Sequence, residues 1–306
     1  MWVPTQIDSL HGVVAVTGVC GENYSAVLTD HGEIYSWGDG ELGKLGHGSN
    51  ITCQYYPRKI ENLLPMKCIS AGMQHMAVIT SQGKIFTWGG GFFGRLGHTA
   101  TENCYHPKEI QSVSKKAFVV VSCGSYHTVA IEDTGFVFIW GRAKMNCQFQ
   151  DSNEPQKIMD LENRKFKQVV AGDGHTLALS QDGEIFSWGS NKYGKLGIGK
   201  KTDKYHVHPL KIMGLPINIL SVATNFNHSL AVTESGDLYS WGSGGGGRLG
   251  QNSTKLLRKP KHIQVKWSIA NADDEGVNDY RIFEYIYEKV KSGGQVSIFR
   301  EMMLLL

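Results

Sequence analysis

This sequence of 306 residues predicts an all-β fold, a β-propeller of four-stranded blades. Three observations carry that expectation. Trp-Gly recurs at Trp37, Trp88, Trp140, Trp188 and Trp241, in steps of 51, 52, 48 and 53 residues. Each of these tryptophans follows Tyr24, His75, His127, His175 or His228 by 13 residues, with no variation. The 37 glycines, well above the usual share of about 7%, return at the same addresses in each copy. Self-similarity at a period near fifty residues marks a repeat architecture, and a spacing held constant between variable loops marks a hairpin of fixed register.

Each copy supplies four strands. The first is a short β-branched run such as Phe118-Val-Val-Val-Ser122 or Gln168-Val-Val-Ala171, the composition that favours a pleated surface. The second and third form the hairpin between the two anchors, as in Ser25 to Thr29 and Ile34 to Trp37, where apolar residues alternate. Gly32, Gly83, Gly135, Gly183 and Gly236 stand at its turn, where a residue that tolerates positive φ lets two strands reverse tightly. The fourth strand opens with Pro-x-x-Ile, at Pro57, Pro107, Pro155, Pro209 and Pro260. Proline cannot donate to a ladder, so this strand is expected at an outer edge. Four strands repeated in tandem are what a propeller blade requires.

Between the third and fourth strands lie Gly43-Lys44-Leu45-Gly46, Gly94-Arg95-Leu96-Gly97, Gly194-Lys195-Leu196-Gly197 and Gly247-Arg248-Leu249-Gly250. A leucine between glycines can plug such a loop back onto the blade. The third copy lacks the motif, since Arg142 to Gln150 contains no glycine, so its loop is expected to follow another path.

The order small-Gly-x-x-His, Trp-Gly, Gly-Lys/Arg-Leu-Gly and Pro-x-x-Ile resembles the repeat of the regulator of chromosome condensation family, over about residues 4 to 265. Kelch repeats share the period but not these motifs. The resemblance implies a seven-bladed ring, and five tryptophan anchors fall short of it. Pro4-Thr5-Gln6-Ile7 stands in register with Pro57 as a further outer strand. Three arrangements stay open: an incomplete seven-bladed ring that is part of a longer sequence, a tail that substitutes for the missing strands, or a ring of fewer blades. The first is the favoured expectation. Residues 1–265 are assigned to the propeller and 266–306 to a divergent tail. In that tail Tyr280, Phe283, Tyr287 and Val290 recur at helical steps and predict a helix over 279–291, ended by Gly293-Gly294.

Composition narrows the function. A 41% hydrophobic and 19% charged chain has the balance of a folded protein, and a net charge of +3 announces no nucleic-acid or membrane partner. No run approaches the length of a bilayer span, and the N-terminus lacks the basic start and apolar run of a secretory signal. Six cysteines without a C-x-x-C pair suggest neither zinc nor a redox motif. Cys20 and Cys123 align with Ala71, Ala171 and Thr224, a position that asks for a small residue near the axis.

Four histidines share one repeat address, one per blade, and are therefore expected to be hydrogen-bonded within their own blades rather than gathered on a metal. Ser243 to Arg248 is glycine-rich but lacks the closing Gly-Lys-Ser/Thr of a phosphate loop, and it aligns with the ordinary loop Asp39 to Lys44. No nucleophile, base and orienter stand out from the repeat background, so the expectation is a chain that is not an enzyme and takes no cofactor.

The distinctive surface feature is basic. Lys192, Lys195, Lys200, Lys201 and Lys204, with His206, His208 and Lys211, fall on the longest polar connection, and Arg258, Lys259, Lys261 and Lys266 follow one repeat later. Neighbouring blades could merge them into one patch for an acidic partner surface. The resulting reading is a non-enzymatic protein-interaction scaffold, cytoplasmic, with the nucleus as the alternative location, and with direct nucleic-acid binding not expected. Likeness to the repeat modules of large HECT-type ubiquitin ligases implies that such a scaffold can serve a larger regulator. The alternative that the resemblance implies is guanine-nucleotide exchange on a Ran-like small GTPase. Steps of 48 to 53 residues leave no room for a long inserted wedge, which weakens it. A plant UV-sensing relative carries Gly-Trp-Arg-His where this chain has Gly72-Met73-Gln74-His75 and Gly124-Ser125-Tyr126-His127, so photoreception is not expected.

Overall fold

In the computed structural model the described residues are 5–264, apart from 146, 148, 202 and 203. The predicted helix over 279–291 and the tail from 266 lie outside them. Five four-stranded antiparallel sheets follow one another along the chain. The first comprises β1 (Ala15–Cys20), β2 (Tyr24–Thr29), β3 (Ile34–Asp39) and β4 (Cys53–Lys59), and the second β5 (Met66–Ala71), β6 (His75–Thr80), β7 (Ile85–Gly89) and β8 (Cys104–Glu109). The third holds β9 (Phe118–Cys123), β10 (His127–Glu132), β11 (Val137–Gly141) and β12 (Ser152–Lys157). The fourth holds β13 (Phe166–Ala171), β14 (His175–Ser180), β15 (Ile185–Ser190) and β16 (Tyr205–Lys211), and the fifth β17 (Ile219–Thr224), β18 (His228–Thr233), β19 (Leu238–Gly242) and β20 (Leu257–His262).

In every sheet the strands pair in chain order, as short hairpin connections dictate. The innermost strands β1, β5, β9, β13 and β17 together line a central channel of about 660 Å³, with Cys20, Ala71, Cys123, Ala171 and Thr224 all on its wall. The constant 13-residue spacing is now explained: His75 opens β6, pairs with Gly89, and leaves Trp88 opposite Met76. The prolines sit later than expected. Pro57 lies near the end of β4 rather than at its head, inside the irregularity where Ser36 pairs with Arg58 but Gly38 pairs with Gln54. A bulge in the outermost strand is where a missing N–H does no harm.

Packing runs between sheets rather than within them. Each core joins one blade's trailing face to the next blade's leading face, as where Leu28, Ile34 and Leu45 meet Ile69, Val78 and Trp88. Three further cores repeat this between the second and third, third and fourth, and fourth and fifth blades. Trp88, Trp140, Trp188 and Trp241 are wholly buried in them. Trp37, at the same address in the first blade, is only half-buried, and Val14 and Val16, at the start of the same blade, are 59% and 50% exposed. No blade among the described residues covers that leading face.

The third blade's loop does take its own path, with Lys144 at φ 64° and Cys147 at φ 60°. It still delivers one structural element. The Nε1–H of Trp188 donates to the carbonyl of Met145 at 3.2 Å, as Trp88 donates to Lys44 and Trp241 to Lys195.

Candidate protein-interaction surface

The loop after the third strand swings onto the outermost strand of the next blade. Gly194, at φ +73°, shows why glycine is needed there: a Cβ would stand 2.8 to 2.9 Å from Cγ and Cα of Arg258. Leu45, Leu96, Leu196 and Leu249 plug these loops inward at 0 to 1% exposure.

The basic residue beside each leucine also turns inward, and this corrects one member of the expected patch. Lys195 is buried. Its ammonium donates to the carbonyl of Phe226 in the fifth blade at 3.0 Å and lies 4.0 Å from Asp173. Burial pushes its pKa down despite that carboxylate. Lys44 is likewise buried and paired with Asp39 at 2.6 Å, and Arg95 donates to the carbonyls of Gly90 and Ser125. Lys195 and Arg95 thus tie their loops to backbone carbonyls and Lys44 ties its own to a carboxylate, roles the sequence alone could not separate from a surface charge.

The remaining cations come together. Lys192, Lys200, Lys201, Lys204, Lys259 and Lys261 are exposed and Arg258 is half-buried. The fourth blade's loop is fastened to β20 by the Gly199 N–H, which donates to the carbonyl of Arg258 at 2.8 Å, and the chain around Gly199 lies against the side chain of Lys259. The loop is closed on itself where the Asn191 N–H donates to the carbonyl of Lys204. Among the described residues no ion pair neutralises Lys192, Lys200, Lys201, Arg258, Lys259 or Lys261. Two of the flanking residues are removed from the patch by partners, His208 by Asp160 at 2.7 Å and Lys211 by Glu184 at 2.5 Å. Replacing Gly194 by Ala is expected to force the loop off β20 at a cost of about 1–2 kcal/mol. It should lower the melting temperature by several degrees and split this surface, a change that thermal unfolding and binding measured together would register.

Three of the four repeat histidines bond across blades, not within them as expected, while neither ring nitrogen of His228 has a hydrogen-bond partner among the described residues. His75 Nε2 lies 2.8 Å from Thr128 Oγ1, His127 Nε2 2.8 Å from Thr176 Oγ1, and His175 Nε2 3.1 Å from Ser229 Oγ, each partner being in the next blade. Thr128 donates its own proton to the Arg95 carbonyl and Ser229 donates to that of Lys195. Those hydroxyls must therefore accept from the imidazole, which fixes Nε2–H and leaves Nδ1 as a bare buried lone pair. Tyr24 obeys the same logic, its hydroxyl 2.8 Å from the carbonyl of His75. Among the described residues no three His, Cys, Asp or Glu side chains are gathered that could hold a metal ion. His75, His127 and His175 are inter-blade rivets.

Comparison with known proteins bears on these features. A family model described as the RCC1-like domain matches residues 1–299. The human E3 ubiquitin-protein ligase HERC2 is 36% identical over 251 residues, 80% of this chain and 4% of that one. The mouse probable E3 ubiquitin-protein ligase HERC4 is 33% identical over 302 residues, 96% of this chain and 24% of that one. The Arabidopsis thaliana ultraviolet-B receptor UVR8 is 30% identical over 273 residues, covering 87% and 61%. Among solved structures, Prp20p from Saccharomyces cerevisiae, described with its binding to Gsp1p and histones, superposes with a TM-score of 0.74 at 24% identity, covering 85% of this chain and 66% of that one. The chain thus spans a small part of the ligases it matches and under two thirds of the receptor.

Proposed function

This chain belongs to the family of RCC1-like domains, and from that premise we propose that it is a non-enzymatic binding scaffold that engages an acidic protein partner through the basic surface of its fourth and fifth blades. The observation that carries the reading is the hydrogen bond from the Gly199 N–H to the Arg258 carbonyl, which sets two lysine clusters from different repeats side by side. Lys200, Lys201, Arg258 and Lys259 carry no ion pair among the described residues, which favours a partner that brings negative charge. The ligase relatives support a module of this kind working inside a larger regulator.

The test is charge reversal at three exposed positions, Lys200→Glu with Lys201→Glu and Lys204→Glu. Capture of acidic partners should fall by about tenfold or more at low salt, and the wild-type interaction should weaken as salt rises. Equal capture by wild type and variant across salt would overturn the assignment. The same preparation, added to Ran loaded with a fluorescent nucleotide, is expected to leave release unchanged. Acceleration would instead favour nucleotide exchange, the alternative that the repeat's family resemblance implies.

A further inference from the structure

A second, separate surface lies where the second and third blades meet. Arg142 follows Trp140-Gly141 at the position filled by Asp39, Gly90, Ser190 and Ser243 in the other blades. Its guanidinium carbon stands 4.8 Å from the ring centroid of Phe93 and 5.2 Å from that of Tyr126. The two rings meet edge-on at 5.6 Å. Aromatic faces hold a guanidinium in place, yet the Arg142 side chain makes no hydrogen bond or ion pair with a described residue. The carboxylate in the same loop, Asp151, is engaged by the Ala143 N–H at 2.7 Å. A second cation, Arg95, stands 6.0 Å from the Tyr126 ring, with its donors on the carbonyls of Gly90 and Ser125.

Phe93 occupies the left-handed region at φ 63°, as Leu42 and Tyr193 do at the same loop address and as Gly246 does in the fifth blade. This backbone is shared by the repeats, so the side chains around Arg142 are what set this loop apart. The neighbouring Phe92 is 55% exposed. Arginine, tyrosine and phenylalanine grouped around one open edge make the residue composition of an interface anchor.

We propose that Phe92, Phe93, Tyr126 and Arg142 form a docking site for an acidic side chain on a partner protein, flanked in the partner by an aromatic or aliphatic residue. Arg142 takes the carboxylate through its planar pair of N–H donors, the geometry that guanidinium and carboxylate share. Phe92 receives the apolar flank. Charge decides the occupant: Arg142 brings a guanidinium without a hydrogen bond or ion pair to a described residue, the buried Arg95 adds positive charge behind it, and the carboxylate of the same loop, Asp151, is already engaged. This site rests on the reading of the chain as a protein-binding module but uses blades other than those bearing the lysine surface.

The test uses the whole chain and a fluorescein-labelled peptide with a Glu-Phe-Glu core in a Gly-Ser context, together with its Gln-Phe-Gln and Glu-Ser-Glu counterparts, followed by anisotropy. The Glu-Phe-Glu peptide should bind best. Arg142→Gln should weaken it about tenfold, the size of one charge-assisted pair, and Phe92→Ser by about fivefold. Both variants should melt within a few degrees of the wild type, because Phe92 is exposed and the half-buried Arg142 gives up only its contacts with the two rings. The Lys200, Lys201 and Lys204 charge reversals should leave binding of this peptide within about twofold at roughly 150 mM salt. Binding that ignores Arg142 and Phe92, or that is lost only with the lysines, overturns the site while leaving the basic surface to its own test. A concentration-dependent dimer abolished by Arg142→Gln would assign the site to a second copy and overturn the proposed partner.

Discussion

Trp188→Ala is expected to destabilise the chain by about 3–5 kcal/mol, whereas Trp37→Ala, at the same repeat address, should cost under about half of that. Trp188 is wholly buried between the third and fourth blades, packed with Val129, Ile131, Ile139 and Phe186. Truncation removes the ring from that core and leaves the Met145 carbonyl without the indole N–H it accepts. An unfilled cavity and an unpaired buried acceptor act in the same direction. Trp37 has no blade before it among the described residues and is half-buried, so less contact is lost. Denaturant titrations of the two variants read the difference directly. Equal losses would mean that the tryptophans do not act as inter-blade anchors.

Lowering the pH from 7 to 5 is expected to destabilise the fold steeply through its buried histidines. Burial, with the charge of Lys195, holds His127 down to about 4, and burial with the charge of Arg248 does the same for His228. His75 and His175 are held well below the ordinary value, again mainly by burial. The folded-state values lie under the unfolded value near 6.5, so between the two the unfolded chain binds more protons. Stability is therefore constant above about pH 6.5 and is lost as pH falls toward 4, with about 2 kcal/mol gone by pH 5 for each of His127 and His228. The structural reason is specific: a proton on Nδ1 would find no acceptor, because the lone pair of His127 and its counterparts faces no hydrogen-bonding group. Melting temperatures recorded from pH 8 to 5 should be flat and then fall by ten degrees or more, about 2–4 °C per kcal/mol. In His127→Gln the fall should be shallower. A profile flat to pH 5 would show that these imidazoles are not buried as described.

The repeat was legible because two anchors 13 residues apart occupy paired places in one hairpin, and a hairpin of fixed register tolerates no insertion between them. The loops outside it vary, and there the sequence was less informative. Lys195 and Lys200 look alike in a linear reading, yet one is buried and the other exposed. The distinction depends on the backbone of Phe226, 31 residues away, which offers the carbonyl that takes the ammonium. The histidines posed the same difficulty, since their hydroxyl partners stand 49 to 54 residues further on in the next blade. Arg142 was visible only as part of a loop lacking glycine, and its aromatic neighbours come from the second blade and from the turn before His127.

By itself the sequence determined the local unit: four strands, their order, the glycine turns, and which tryptophan belongs to which blade. These follow from side-chain alternation and backbone freedom, which act over a few residues. Tertiary structure alone decided which cations face water and which clamp a neighbour, and which blade face lies uncovered among the described residues. Those outcomes depend on burial and hydrogen-bond partners that neighbouring blades supply, and a repeat cannot encode its neighbour within its own span.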